Sequence, residues 1–232
     1  MSGERAIQSG CKGMGMSNGS DLLQVRDSLV TFARRAVGDG LISGTSGNFS
    51  VRVGDVMAIT PSGVPYEVMD PAEVCMVRVS DGALEAGTRP SSETPMHRAV
   101  YAATDAGATV HTHSQFVVAL SSVLEVLPAV HYAMATLGGP VRVASYARFG
   151  TKQLATVAVV GLEGRTAVIL RNHGALTYGA TLAEAYQRAL TLEWLASVYW
   201  YARMLGSPKL LDERQLAEVA EAVRAFRYGE GA

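Results

Sequence analysis

The chain has 232 residues, 20 Lys and Arg against 21 Asp and Glu for a formal charge of −1, and two cysteines, Cys11 and Cys75. A chain this long buries roughly 70% of the surface its unfolded form exposes, so neither disulfides nor a structural metal is needed for folding, and one domain is expected. Balanced charge without a basic run argues against nucleic acid and polybasic membrane attachment, no apolar stretch approaches the ~20 residues that cross a bilayer, and two isolated cysteines fit a reducing, cytoplasmic compartment.

Taken in chain order, Met1 to Ser20 is rich in Gly and Ser, lacks the apolar core of a secretory signal, and is expected to be a mobile tail. From Asp21, Leu22, Val25, Leu29, Phe32, Ala33, Ala36 and Val37 recur at helical spacing and stop at Gly38-Asp39-Gly40. The turn-rich Gly44-Thr45-Ser46-Gly47-Asn48 leads into alternating Phe49, Val51 and Val53, then Val56 to Thr60, which reads as a hairpin. Val74 to Val79 predicts a strand. Ser91-Ser92-Glu93 opens a helix whose face is Met96, Val100 and Tyr101. Strand and helix then alternate: strand Thr109 to Thr112, helix Ser114 to Leu124, strand Pro140 to Val143, helix Thr151 to Val160, strand Ala167 to Leu170. Leu182 to Leu205 is the longest helix and Leu211 to Phe226 an amphipathic one. Early hairpins followed by alternation predict an α/β domain of three layers, α/β/α, around a mixed sheet.

Five histidines occur, at 97, 111, 113, 131 and 173. On a strand, residues i and i+2 project from one face, so His111 and His113 can reach a single point. His173 stands at the end of another strand, before Gly174, where the backbone can turn sharply. Three neutral imidazoles suit a zinc-like ion with a position left open for substrate. By spacing alone, the commoner outcome of such a pair is two hydrogen-bonded, half-buried histidines. His97, on a helix beside Arg98, reads as structural or solvated, and His131 as core, a support for the site, or interface. The Gly47-Asn48, Ser62-Gly63 and Ser91-Ser92 clusters offer hydroxyls and backbone amides of the kind that hold a phosphate, although each taken singly is an ordinary turn, and Glu93 an ordinary cap.

Taken together, Gly44-Thr45-Ser46-Gly47-Asn48, Ile59-Thr60-Pro61-Ser62-Gly63, Ser91-Ser92-Glu93, His111-Thr112-His113, Ala129-Val130-His131-Tyr132, Tyr146-Ala147-Arg148-Phe149-Gly150-Thr151 and Asn172-His173-Gly174 resemble the class II aldolase and adducin family. The resemblance spans roughly residues 21 to 228 and is strongest to the L-fuculose-phosphate aldolase branch. It implies a catalytic domain over residues 21–232 with a mixed, largely antiparallel central sheet. It implies one zinc ion per subunit, or another divalent metal, held by His111, His113, His173 and Glu93, with Glu93 also trading the reaction's proton. Gly47, Asn48, Ser62, Gly63, Ser91 and Ser92 would hold the substrate phosphate. Tyr132 would serve the aldehyde end, and Tyr228 would reach a site within a homotetramer.

The activity so implied is cleavage of a ketose 1-phosphate, like L-fuculose 1-phosphate or a deoxy- or methylthio-pentulose 1-phosphate, into dihydroxyacetone phosphate and an aldehyde. Relatives with the same site also include 4-epimerases, methylthioribulose-1-phosphate dehydratases and keto-acid decarboxylases, and the adducin head is a non-catalytic binding module. The residues agree with the lyase chemistry independently. Cleavage beside a ketone leaves negative charge that a divalent cation stabilises, and none of Lys12, Lys152 and Lys209 sits in a buried apolar strand where an imine-forming lysine is expected. Arg148, and the segment from Ser207 to Ala232, are expected to bear on aldehyde specificity.

Overall fold

The computed structural model describes residues 18–225, so most of the expected N-terminal tail, Cys11, Phe226 and Tyr228 lie outside the described residues. Helix α1 (Asn18–Gly38) begins three residues before the expected Asp21 and so takes in the end of the segment read as a tail. The hairpin forms as expected, β1 (Asn48–Val53) against β2 (Val56–Ile59). A turn of 3-10 helix, Pro71–Glu73, capped by Asp70, leads into β3 (Cys75–Arg78) and a three-residue β4 (Leu84–Ala86). Then follow α2 (Thr94–Ala103), β5 (Ala108–Thr112), α3 (Gln115–Ser121), β6 (Val126–Leu127) and a 3-10 segment, Tyr132–Leu137. The chain continues through β7 (Val141–Ala144), α4 (Lys152–Gly161), β8 (Ala167–Leu170), β9 (Gly174–Gly179), α5 (Leu182–Leu205) and α6 (Glu213–Ala225).

The nine strands form one sheet in the order β4-β3-β2-β1-β5-β9-β8-β7-β6. Only β7 and β8 pair in parallel, so the sheet is mixed and largely antiparallel, as expected. Side-chain alternation then dictates the layers. On one face Phe49, Ala58, Met76 and Val110 pack under α1 and the start of α5, and Ala167, Ile169 and Ala175 under the remainder of α5 with α3. On the other, Met57, Ile59, Cys75, Val77, Val168, Leu170 and Leu176 pack under α2 and α4. Three layers result, with the core on both sides of the sheet.

Strand β9 is the main element the sequence reading omits. Bracketed by glycines, Ala175 to Tyr178 shows no clean alternation, because both faces are covered: Ala175 and Leu176 are buried on opposite sides. It pairs with β5 on one edge and β8 on the other, so it occupies the middle of the sheet. The long helix α5 divides its aromatic residues. Tyr199 is buried, whereas Trp194, Trp200 and Tyr201 are exposed.

Candidate metal centre and substrate pocket

The histidines meet where β1, β5 and β9 lie side by side. In the β1–β5 register Asn48 faces His111, and in the β5–β9 register His111 faces Leu176. His111 is fully buried, with Nδ1 2.8 Å from the Ala175 carbonyl oxygen of the neighbouring strand. His113 lies just past β5, its backbone amide donating to the Leu41 carbonyl. His173 ends the β8–β9 connection. The three rings stand 4.8 to 4.9 Å apart, centroid to centroid, so the alternation argument for one shared point holds and extends across two strands.

The connection that presents His173 differs in one respect from expectation. The left-handed residue is Asn172, at φ 52°, whose amide donates to Ser121 Oγ, and not Gly174. Gly174 is required for space instead: a Cβ there would collide with the Thr112 carbonyl and press on the His113 ring. Gly47 needs both properties. It has φ 74°, a Cβ on it would lie 2.7 Å from the His111 carbonyl oxygen, and its own carbonyl accepts from the buried Tyr66 hydroxyl at 2.7 Å.

Glu93 occupies the N-cap position of α2 yet makes no side-chain cap hydrogen bond. The carboxylate turns into the sheet, where Oε2 is 2.9 Å from His111 Nε2 and accepts from Asn48 Nδ2 at 2.9 Å. Its Oε1 lies 3.3 Å from His173 Nε2 without hydrogen-bond geometry and is a buried oxygen with no partner. Burial alone would raise the Glu93 carboxyl. The charge and hydrogen bond of His111 and the donor from Asn48 overcome this and hold it far below the ordinary carboxylate range. His111 is raised in turn: its burial is the largest single influence and lowers it, but the Glu93 charge, the Glu93 hydrogen bond and the bond to the Ala175 carbonyl together outweigh that. His113 and His173 are pushed down to about 3 and about 4, first by burial and then by the charge on His111.

Glu93, His111, His113 and His173 thus bring one ligand atom each to within 4.8 Å of one another. Three imidazoles and a carboxylate are the donor set of a zinc-like divalent site, and the orphaned Oε1 is a buried acceptor that a cation would satisfy. The residues fit a metal. The capping alternative does not describe this geometry, and the histidine pair, with His111 Nε2 and His113 Nε2 2.9 Å apart, is only part of it, because His173 and Glu93 join them.

Around the cluster lies a cavity of about 280 Å³ whose lining includes Gly47, Asn48, Ser62, Gly63, Ser91 and Ser92. All six residues expected to hold a phosphate therefore border the same space as Glu93, His113 and His173. Asn48 differs from the other five, because its side chain is spent on Glu93 and on His97. The exposed rings of Tyr146 and Phe149 border the same cavity.

One expected site residue is not brought there, and a second lies outside the described residues. Tyr132 opens the Tyr132–Leu137 segment, 58% exposed, and does not border the cavity. Its ring lies on His131, which stands edge-on to Trp194 and accepts the Ala133 amide as a helix cap. Tyr228 lies outside the described residues.

His97 is neither solvated nor isolated. It is fully buried, 2.5 Å from Asn48 Oδ1 through Nε2 and 2.7 Å from Ser50 Oγ through Nδ1. Burial, and then the His111 charge, push it down to about 3 from an ordinary 6.5. The folded chain therefore binds fewer protons at His97 than the unfolded chain between those values. This contribution to stability is complete above about pH 6.5 and falls by roughly 1.4 kcal/mol per unit as pH drops through that window. Urea unfolding of metal-free protein between about pH 7 and 4 should accordingly lose stability more steeply in the native chain than in His97→Gln; equal slopes would contradict the assignment.

The protein is a three-layer α/β domain with a buried three-histidine, one-glutamate centre that could hold a metal ion beside a Ser- and Gly-lined cavity. The chain belongs to the class II aldolase and adducin family: the model of the Class II Aldolase and Adducin N-terminal domain matches residues 27–200. It is 36% identical over 212 residues to a 5-methylthioribulose-1-phosphate/5-deoxyribulose-1-phosphate aldolase of Rhodospirillum rubrum, covering 90% of this chain and 95% of that one. It is 36% identical over 190 residues to the L-fuculose phosphate aldolase of Escherichia coli, covering 81% and 88%. A solved L-fuculose 1-phosphate aldolase superposes with a TM-score of 0.84 at 36% identity, over 87% of this chain and 96% of that one.

Proposed function

We propose that the protein is a zinc-dependent aldolase that cleaves a 5-deoxy- or 5-methylthio-pentulose 1-phosphate, or the related L-fuculose 1-phosphate, into dihydroxyacetone phosphate and an aldehyde. The observation that carries this reading is the juxtaposition of Glu93 and the three histidines with the small-residue wall of Gly47, Ser62, Gly63, Ser91 and Ser92 around one cavity. At about 280 Å³ that cavity falls just below the ~300–1,000 Å³ of ligand pockets, which suits a short sugar phosphate rather than a dinucleotide. The relatives' names supply the substrate class, and the exposed Tyr146 and Phe149 rings suit an apolar terminal carbon.

His111, His113, His173 and Glu93 would hold the ion, which when bound supplies a Lewis acid for the negative charge that develops beside the ketone. Neutral hydroxyls and amides around Ser62, Gly63, Ser91 and Ser92 grip the phosphate and fix the reacting carbons by binding energy remote from the bond that breaks. Glu93, ionised and buried, gives or takes the proton at carbon through Oε1, which would have to leave the ion to do so, because Oε2 stays with the Asn48 amide. Purified protein supplied with zinc and 5-deoxyribulose 1-phosphate should liberate a triose phosphate that glycerol-3-phosphate dehydrogenase reduces with NADH. An epimerised or dehydrated product with its carbon chain intact would overturn the lyase reading in favour of another reaction of the family.

A homotetramer with Tyr132 and Tyr228 contributing to a neighbour's site is part of the same proposal. Support comes from the exposed Tyr132, Trp194 and Tyr201, which leave a large aromatic area on the surface of one chain. Light scattering should return a tetramer, and a monomer would remove this part of the reading.

A further inference from the structure

A line of buried side chains runs inward from Glu93, and nothing in the reaction described so far uses it. Glu93 Oε2 meets Asn48 Nδ2 at 2.9 Å, Asn48 Oδ1 meets His97 Nε2 at 2.5 Å, His97 Nδ1 meets Ser50 Oγ at 2.7 Å, and Ser50 Oγ meets the Tyr101 hydroxyl at 2.7 Å. Every member is buried, His97 and Ser50 completely. One strand and one helix build it: Asn48 and Ser50 share one face of β1, and His97 and Tyr101 are one turn apart on α2, with Glu93 at its N-cap.

The chemistry of the members allows only one direction. An ionised carboxylate can only accept, so Asn48 must present its NH₂ to Glu93 and its oxygen to His97. His97 must then carry its proton on Nε2. With the ring neutral, Nδ1 accepts, so the Ser50 hydroxyl donates to it and Tyr101 donates to Ser50. Reversing any one link sets two donors or two acceptors against each other among buried groups.

We infer that His97 is a positioning residue for Glu93: acting through Asn48, it fixes the amide so that a donor always faces Oε2 and the carboxylate is held with Oε1 turned to the substrate. This rests on the reading of Glu93 as the group that trades a proton with carbon. Without the His97 N–H, the Asn48 oxygen is orphaned and the amide is free to turn over, presenting that oxygen to the carboxylate and pushing Glu93 out of place.

Two measurements test the inference. Long-range ¹H–¹⁵N correlation on the full chain labelled at histidine should find His97 neutral with its proton on Nε2; a proton on Nδ1, or a charged ring at neutral pH, would overturn the direction of the line. This spectrum needs no turnover, so an inactive protein would sink the aldolase reading without affecting it. In the active protein, His97→Gln keeps an N–H directed at Asn48 and should retain kcat within about threefold, whereas His97→Leu should lower kcat by roughly 10–100-fold with KM nearly unchanged. A folded His97→Leu protein with native kcat, or with its loss confined to KM, would overturn the positioning role. Should His97→Leu fail to fold, the tautomer of the native chain and the rate of His97→Gln still decide.

Discussion

Glu93→Gln should fold, retain metal, and lose cleavage by roughly 10²–10⁴-fold, the range supplied by a positioned general acid–base group. The replacement keeps the volume of the side chain and one acceptor oxygen, so Asn48 Nδ2 still finds a partner at the position of Oε2. What it removes is the negative charge, and with it the group able to exchange a proton with carbon. Three imidazoles remain for the ion, so metal content measured by inductively coupled plasma spectrometry should stay near stoichiometric while turnover collapses. The two readouts separate the roles of one side chain: parallel loss of metal and activity would make Glu93 a ligand alone, and an unchanged rate would remove it from the chemistry.

The four residues that could hold a metal ion were legible in the sequence for different reasons. The i, i+2 spacing of His111 and His113 on a β-branched strand is a local fact, and local facts survive folding. That His173 joins them depends on β9, which pairs with β5 and carries the preceding residue to the same edge. Its two buried faces leave no alternation to read, so His173 could be offered as a third imidazole at a strand end, while its convergence with the other two rested on resemblance of motifs. Glu93 followed the same course: Ser91-Ser92-Glu93 does start a helix, but the carboxylate leaves its own helix end for the sheet, drawn by His111 and Asn48, which are distant in sequence. Of the two readings of His97, structural or solvated, the solvated one fails, because Arg98 beside it suggests an exposed helix face whereas a side chain's exposure is set one residue at a time around the helix. Arg98 reaches the Val79 and Ser80 carbonyls while His97 turns inward. Tyr132 illustrates a different limit. Its motif is present, yet it stands outside the cavity of its own chain, and no property of one chain's sequence reports what a second chain would cover.

Removing the first histidine of the pair should cost more than removing the second, though both are proposed to hold the ion. In His111→Ala the Glu93 carboxylate, side chain only 6% exposed, loses its nearest opposite charge, and the Ala175 carbonyl loses its donor. Breaking a buried pair from one side leaves an uncompensated charge and typically costs roughly 3–5 kcal/mol. His113, at the rim of the cavity and less deeply enclosed, has no such partner: its ring nitrogen lies 2.9 Å from His111 Nε2, where two imidazoles without an ion between them gain little. Both single variants should therefore lose bound metal and activity together. In urea unfolding of the metal-free proteins, however, His113→Ala should lie within about 1 kcal/mol of the native chain while His111→Ala falls well below it. Adding Glu93→Gln to His111→Ala should restore much of the loss, since it neutralises the stranded carboxylate, and that non-additivity is a direct measure of the pair. Equal destabilisation by the two histidine variants, or no recovery in the double variant, would mean that the Glu93–His111 contact does not carry charge in the folded protein and that the depressed carboxyl has another cause.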